Sequence, residues 1–196
     1  MALKSLRNPL MKLRRLLGRR DGVAAIEFAF AFPIVLMGVV GLMELAMILF
    51  VSALAEGGLR DAARFNITGQ SVPGVTREQA LVNIVNDRML GLLTLTPGNV
   101  TMRVYETFDQ VGQPEPLTND INGNGKYDPG DSYTDVNGNG QWDADMASAG
   151  AGSAGDVVVY DILVDWPLLT PIMAPIIGTD GVMKLSASIA VRNEPW

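Results

Sequence analysis

A basic leader runs into a long apolar segment at Arg19-Arg20-Asp21-Gly22-Val23-Ala24-Ala25-Ile26-Glu27-Phe28, and the apolar run continues to about Ala55. This run constrains the fold more than any other feature, because a secretory signal core is shorter and ends at a small-residue cleavage site. As a helix, Val23 to Ala55 spans roughly 50 Å at roughly 1.5 Å per residue, against roughly 30 Å of bilayer hydrocarbon. It is expected to cross an inner membrane once, in contact with its lipid, and to emerge well beyond it. Lys4, Arg7, Lys12, Arg14, Arg15, Arg19 and Arg20 precede the run with only Asp21 to oppose them, so the positive-inside rule places the N-terminus in the cytoplasm and the remainder outside. The leader carries +6 of a chain whose net charge is −6, which leaves the remainder at −12. That part lacks the clustered Lys and Arg that phosphate binding needs, so nucleic acid is not an expected partner.

The run has its own punctuation. Pro33 removes one backbone hydrogen bond and crowds the carbonyl of Ala29, so either a flexible point or a tolerated kink is expected there. Gly38 and Gly41, with Ala31 and Ala46, offer small surfaces for close helix packing. Glu44 would face headgroups or bond to a partner helix. Gly57-Gly58 reads either as a hinge or as part of a helix that resumes at Leu59, Ala62, Ala63 and Phe65.

About 140 residues follow, enough for one domain with its own core. The chain has no cysteine, so no disulfide framework supports it. Thr76 to Leu90 reads as an amphipathic helix with Thr76 as N-cap, Gln79 as capping-box partner and an apolar stripe of Ala80, Leu81, Ile84, Val85 and Met89. Strand patterns follow at Val100 to Thr107, Val157 to Trp166 and Met183 to Arg192. Pro167, Pro171 and Pro175 interrupt the chain between the last two, so Leu168 to Gly178 should be an irregular or briefly helical crossover. The expected class is α+β: a long N-terminal helix leading into a domain whose small antiparallel sheet packs on helices. The divisions are 1–22 leader, 23–55 membrane helix and 56–196 domain, with 117–155 as an insertion.

The Gly22, four-residue, Glu27-Phe28 pattern, with its basic flank, resembles the processing site of prepilins. Leu59-Arg60-Asp61-Ala62-Ala63-Arg64-Phe65 and the ending Ala190-Val191-Arg192-Asn193-Glu194-Pro195-Trp196 also resemble the TadE-like pseudopilins of the tight-adherence (Flp, type IVc) pilus system. The resemblance implies that a prepilin peptidase cuts after Gly22 and makes Val23 the new N-terminus. It further implies a minor pilin that joins other pilins and minor pilins, helps initiate or assemble the pilus and has a place at its tip. Glu27 then has two readings: it snorkels toward the interface, or it pairs in a filament with the free amine of a neighbouring Val23.

The acidic, glycine-rich middle carries a near-repeat. Asp120-Ile121-Asn122-Gly123-Asn124-Gly125-Lys126-Tyr127-Asp128 is answered by Asp135-Val136-Asn137-Gly138-Asn139-Gly140-Gln141-Trp142-Asp143. Each copy places oxygen side chains at positions one, three, five and nine and glycine at six, the front half of an EF-hand-type loop; Lys126 and Gln141 fall at position seven, where a backbone carbonyl ligates. Asp131 falls at position twelve of the first copy, which resembles dockerin or thrombospondin type 3 repeats and implies Ca2+ as cofactor. The second copy has Met146 at twelve, with Asp145 nearby as substitute. The competing reading is a solvated run of Asn-Gly turns.

Catalysis is not expected. With neither histidine nor cysteine, the chain can form no Ser-His-Asp triad and no Cys-His pair; Asp161 and Asp165, evenly spaced on one predicted strand, read as a solvated face. Two roles remain at this point: a processed pilus subunit of structural and adhesive function, or an uncleaved, inner-membrane-anchored calcium-binding interaction protein.

Overall fold

The computed structural model describes residues 22–70 and 72–195; the leader through Asp21, and Trp196 at the other end, lie outside the described residues. The chain divides into two compact units, Met1–Leu45 and Ala46–Trp196. Helix α1, Val23–Ile67, runs for 45 residues and contains Pro33. Neither Pro33 nor Gly57-Gly58 ends it, so the helix continues well past Ala55.

In the first unit the helix is largely apolar and mostly open to its surroundings: Ile26, Phe28, Phe30, Ile34, Val35 and Leu42 are all exposed. Such a surface is stable only in lipid or against other apolar helices, and the helix is long and apolar enough to cross a membrane.

In the second unit the helix becomes one-sided. Ile48, Val51, Ala55, Leu59, Ala62 and Ala63 recur every three or four residues and are buried, which is the spacing of a single helical face. Against this face lies helix α2, Arg77–Arg88, capped by the Thr76 hydroxyl, which accepts from the Gln79 amide at 3.2 Å. The Gln79 side chain donates to Asn83 instead of reaching back to the cap. Leu81, Val82, Val85 and Met89 fill the space between the helices and the sheet. Asn86 then fixes the exit from α2, its side chain accepting from the Leu95 amide at 2.7 Å and donating to the Leu95 carbonyl at 3.0 Å.

The sheet is antiparallel throughout. Its strands are β1 (Val100–Tyr105), β4 (Ser148–Ala149), β5 (Val157–Pro167) and β6 (Val182–Arg192), in the order β4-β1-β5-β6. A separate two-stranded pair, β2 (Leu117–Asn119) with β3 (Ser132–Tyr133), lies within the insertion. A short helix, α3 (Ala174–Ile177), occupies the proline-rich crossover before β6.

Strand β5 organises both faces by simple alternation. Val158, Tyr160, Ile162, Val164 and Trp166 point into the main core with the helices. Val157 and Val159 point the other way, into a smaller cluster with Tyr105 of β1 and Met146 of the insertion, backed by Val111 and Ala147. The sheet is therefore covered by helices on one face and, at one end, by the insertion on the other.

The two consecutive glycines of α1 differ in what surrounds them. A Cβ at Gly57 would meet nothing within 4 Å, whereas one at Gly58 would lie 3.1 Å from the Val85 Cα and 3.3 Å from the Arg88 Cβ. Gly58 thus sets the approach of α2. Gly57→Ala should stabilise the domain by about 0.5–1 kcal/mol through helix propensity. Gly58→Val should destabilise it by about 1–3 kcal/mol through overpacking. Denaturant unfolding of the detergent-solubilised chain checks both, and equal effects at the two positions would contradict this packing.

Candidate functional site

Two regions carry the sequence motifs. The first is the start of α1. Gly22 immediately precedes the helix, and its carbonyl accepts from the Ile26 amide at 3.2 Å. Val23, Glu27 and Phe28 are exposed in the first turns, with the Phe28 ring 5.2 Å from that of Phe32. Glu44, expected to face headgroups or a partner helix, is itself buried at 1% exposure.

The second region is the pair of glycine-rich loops. In the first, Asp120 accepts from the amides of Gly123 and Gly125, both at 2.7 Å. These bonds, that to Gly125 foremost, hold its carboxyl below the usual aspartate range. Asn122 and Asn124 each donate a side-chain amide to the same oxygen of Asp128, both at 2.7 Å. Asp131 closes the loop: one oxygen accepts from the Ile121 amide at 3.0 Å and the other from the Asp128 amide at 2.8 Å. Lys126 contributes its amide to Asn124.

The second loop repeats the bonds among its first nine positions. Asp135 accepts from Gly138 and Gly140 at 2.7 and 2.8 Å, Asn137 and Asn139 converge on one oxygen of Asp143 at 2.8 and 2.5 Å, and the Gln141 amide meets Asn139. Gly125 and Gly140, at position six of each loop, have φ of 72° and 79°, a conformation that β-carbon-bearing residues adopt at a cost. Sequence and geometry agree here. The aromatic that follows each glycine joins the loops, since the Tyr127 and Trp142 rings stack with centroids 4.8 Å apart and planes 8° apart.

Asp145 is engaged elsewhere. It accepts from Arg103 at 2.5 Å and from the Tyr105 hydroxyl at 2.8 Å, while Arg103 also donates to Asp161 at 3.0 Å. This network ties the insertion to β1 and β5, and Asp165 alone of the strand's two carboxylates stays exposed. Burial, followed by the bond to Asp145, pushes the Tyr105 hydroxyl above its ordinary pKa. Burial acts against the charge of Arg103, but the bonds to Asp145 and Asp161 outweigh it and raise its pKa.

The residue that sequence reading overlooked is Glu115. Its side chain is buried at 1% exposure, and it accepts from the amides of Val136 at 2.7 Å and Asp143 at 3.1 Å. Its distance from the loop along the chain hides this role, and the flanking Pro114 and Pro116 are its only local signal.

Among the described residues, no three or more His, Cys, Asp or Glu side chains are grouped so as to hold a metal by themselves. The oxygen-bearing side chains are mixed, three aspartates and two asparagines in the first loop and two of each in the second, a set whose chemistry suits a hard cation that accepts neutral oxygen ligands.

Comparison with known families gives one match: a model described as TadE-like protein covers residues 22–64. The matched stretch begins at Gly22 and runs through the apolar helix almost to its end at Ile67. No curated protein and no solved structure matches the chain. Among the described residues, one N-terminal helix is long and apolar enough to anchor a protein by one membrane pass.

Cutting Arg103 back should loosen the insertion without unfolding the sheet. Arg103→Met should cost roughly 1 kcal/mol, since all three partners are about one-third exposed, and should speed proteolysis within residues 106–156. Unchanged cleavage rates would contradict the anchoring role.

Proposed function

We propose that this chain is a minor pilin or pseudopilin of a tight-adherence pilus, with a structural and adhesive role. In this reading a prepilin peptidase cuts after Gly22 on the cytoplasmic side, Val23 becomes the N-terminus, and the domain lies in the periplasm until the helix leaves the bilayer for the filament. The subunit helps to initiate or assemble the pilus with other pilins and minor pilins, and a tip position suits a domain much larger than the helix. The observation that carries the reading is the family match, which starts at the glycine of the processing pattern and covers the apolar helix. No reaction is assigned.

Glu27 supports this account chemically. A lone carboxylate in an apolar helix bundle is costly unless paired, and the amine created at Val23 is a suitable partner in a neighbouring subunit. In the native host, Gly22→Leu should leave the chain uncut and abolish its recovery in sheared filaments. Full processing of that variant would refute cleavage at this position.

Calcium is proposed to stabilise the insertion. Asp120, Asn122, Asn124, Asp128 and Asp131 would hold one ion, with the Lys126 carbonyl at position seven; Asp135, Asn137, Asn139 and Asp143, with the Gln141 carbonyl, would contribute to a second. Support comes from the donor set: two asparagines per loop lower the site charge, which fits the modest affinity of extracellular calcium modules. When bound, the ion supplies charge neutralisation, and the chain's own carboxylates then cease to repel one another. A chelator should increase protease cleavage within 117–155 severalfold and leave the sheet intact. Identical cleavage with and without calcium would contradict this part of the proposal.

A further inference from the structure

Within the unit Ala46–Trp196, α1 and β6 run side by side in the same direction. The Glu194 amide, just past β6, donates to the Ile67 carbonyl at the end of α1 at 3.1 Å, and Glu56 and Arg60 border the same cleft as Ser186 and Ile189. From Leu59 back to Ala46 is roughly 20 Å of helix, and from Ala187 back to Val182 is roughly 17 Å of strand. The start of β6, with Pro167 opposite Val182, therefore lies at the end of the unit where the chain enters from the apolar part of α1. The crossover between β5 and β6, residues 168–181, is carried at that end.

The crossover is apolar outward as well as inward. Leu168 and Ile177 pack against the main core and Met173 is buried, whereas Leu169, Ile172 and Ile176 are 56, 53 and 58% exposed. No charged side chain occurs from Pro167 to Thr179, although the chain beyond the leader carries a net −12. Leu49 and Phe50 of α1, at the same end, are exposed too. Such a cluster of apolar side chains marks a contact surface.

Its backbone suits a surrounding poor in water. Pro167, Pro171 and Pro175 have no N–H to satisfy, and the amides of Leu168, Met173, Ile176, Ile177 and Gly178 all bond within residues 168–181, at 2.9 to 3.2 Å. The segment also closes tightly on itself, since a Cβ at Gly178 would lie 2.6 Å from the Leu168 Cδ1.

The occupant of this surface follows from the length of α1. Bilayer hydrocarbon takes roughly 20 helical residues, so a span that starts near Val23 leaves it near Met43 and passes the headgroup layer around Ala46. Resting on the single-pass reading of α1, we propose that the crossover is a second membrane contact: Leu169, Ile172 and Ile176 insert into the bilayer interface beside the helix. Two contacts fix the orientation of the domain where one helix would let it pivot. Strand β5 runs from the insertion at Val157 to the crossover at Pro167, so this orientation presents the insertion away from the lipid.

The chain has no cysteine, so single-cysteine variants of the full chain report the position of each site. Ile172→Cys, Ile176→Cys, Leu36→Cys and Asp109→Cys would each carry an environment-sensitive dye in nanodiscs that hold one copy and contain phosphatidylcholine spin-labelled near its headgroup or deep in its acyl chain. The shallow spin label should quench the dyes at positions 172 and 176 at least about twofold more than the dye at 109, and the deep one should quench the dye at 36. Quenching at 36 with none at 172 and 176 would overturn the role of the crossover. No quenching at 36 would instead overturn the membrane reading of α1, and the proposal with it. Dyes at 172 and 176 shielded only when two copies share a disc would assign the surface to a second copy and overturn the lipid contact. Should Ile172→Cys or Ile176→Cys fail to fold, Leu169→Cys decides: quenching supports the contact, and its absence overturns it.

Discussion

The interaction on which the domain depends is the packing of the later part of α1 against α2 and the sheet. Ile48, Val51, Ala55, Leu59, Ala62 and Ala63 form one wall of the main core, opposite Tyr160, Ile162, Val164 and Trp166. Each large side chain buried there contributes about 1.5–3 kcal/mol. A four-stranded sheet with only the twelve-residue α2 to cover it would leave much of this apolar face in water. The same helix whose first part exposes apolar side chains therefore also completes the fold of the second unit, and Gly58 lets α2 approach it closely enough to do so.

A second constraint follows from the charge of the remaining chain. Glu115, Asp120, Asp128, Asp131, Asp135 and Asp143 lie in or beside the two loops, and the insertion meets the sheet through the pairing of β4 with β1, the Arg103–Asp145 ion pair and an apolar cluster around Met146. Backbone amides satisfy much of the negative charge, which is why the loops keep a definite shape. The sheet and its helices thus hold together through apolar packing, while the loops hold together through hydrogen bonds from their own amides.

Much of the fold could be read from the residues. Alternation located β1, β5 and β6 to within one or two positions, because β-branched side chains at a period of two leave little ambiguity. Thr76 marked the start of α2 through its hydroxyl. Other features were illegible for physical reasons. The continuity of α1 past Ala55 was left open by the residues, since Glu56, Gly57 and Gly58 break the apolar run without breaking the helix. Val82 is buried although it lies off the stripe, because the sheet and α1 enclose α2 from two sides. Strand β4 has only two residues and no period to detect.

The candidate site was legible in its local half alone. Spacing gave the loop positions, but it assigned Asp145 to the second loop when Arg103 and Tyr105 bind it, and it could not connect Glu115 to Asp143 across the intervening loop. Such long-range pairing is set by backbone docking rather than by pattern. The central claim concerns the other end of the chain, where Gly22 meets an apolar helix. The most direct measurement is the N-terminal residue and intact mass of the chain from its own host, with sheared filaments and membranes analysed separately. A chain that begins at Val23 and is found in filaments is the result expected; an uncut chain confined to membranes would contradict it.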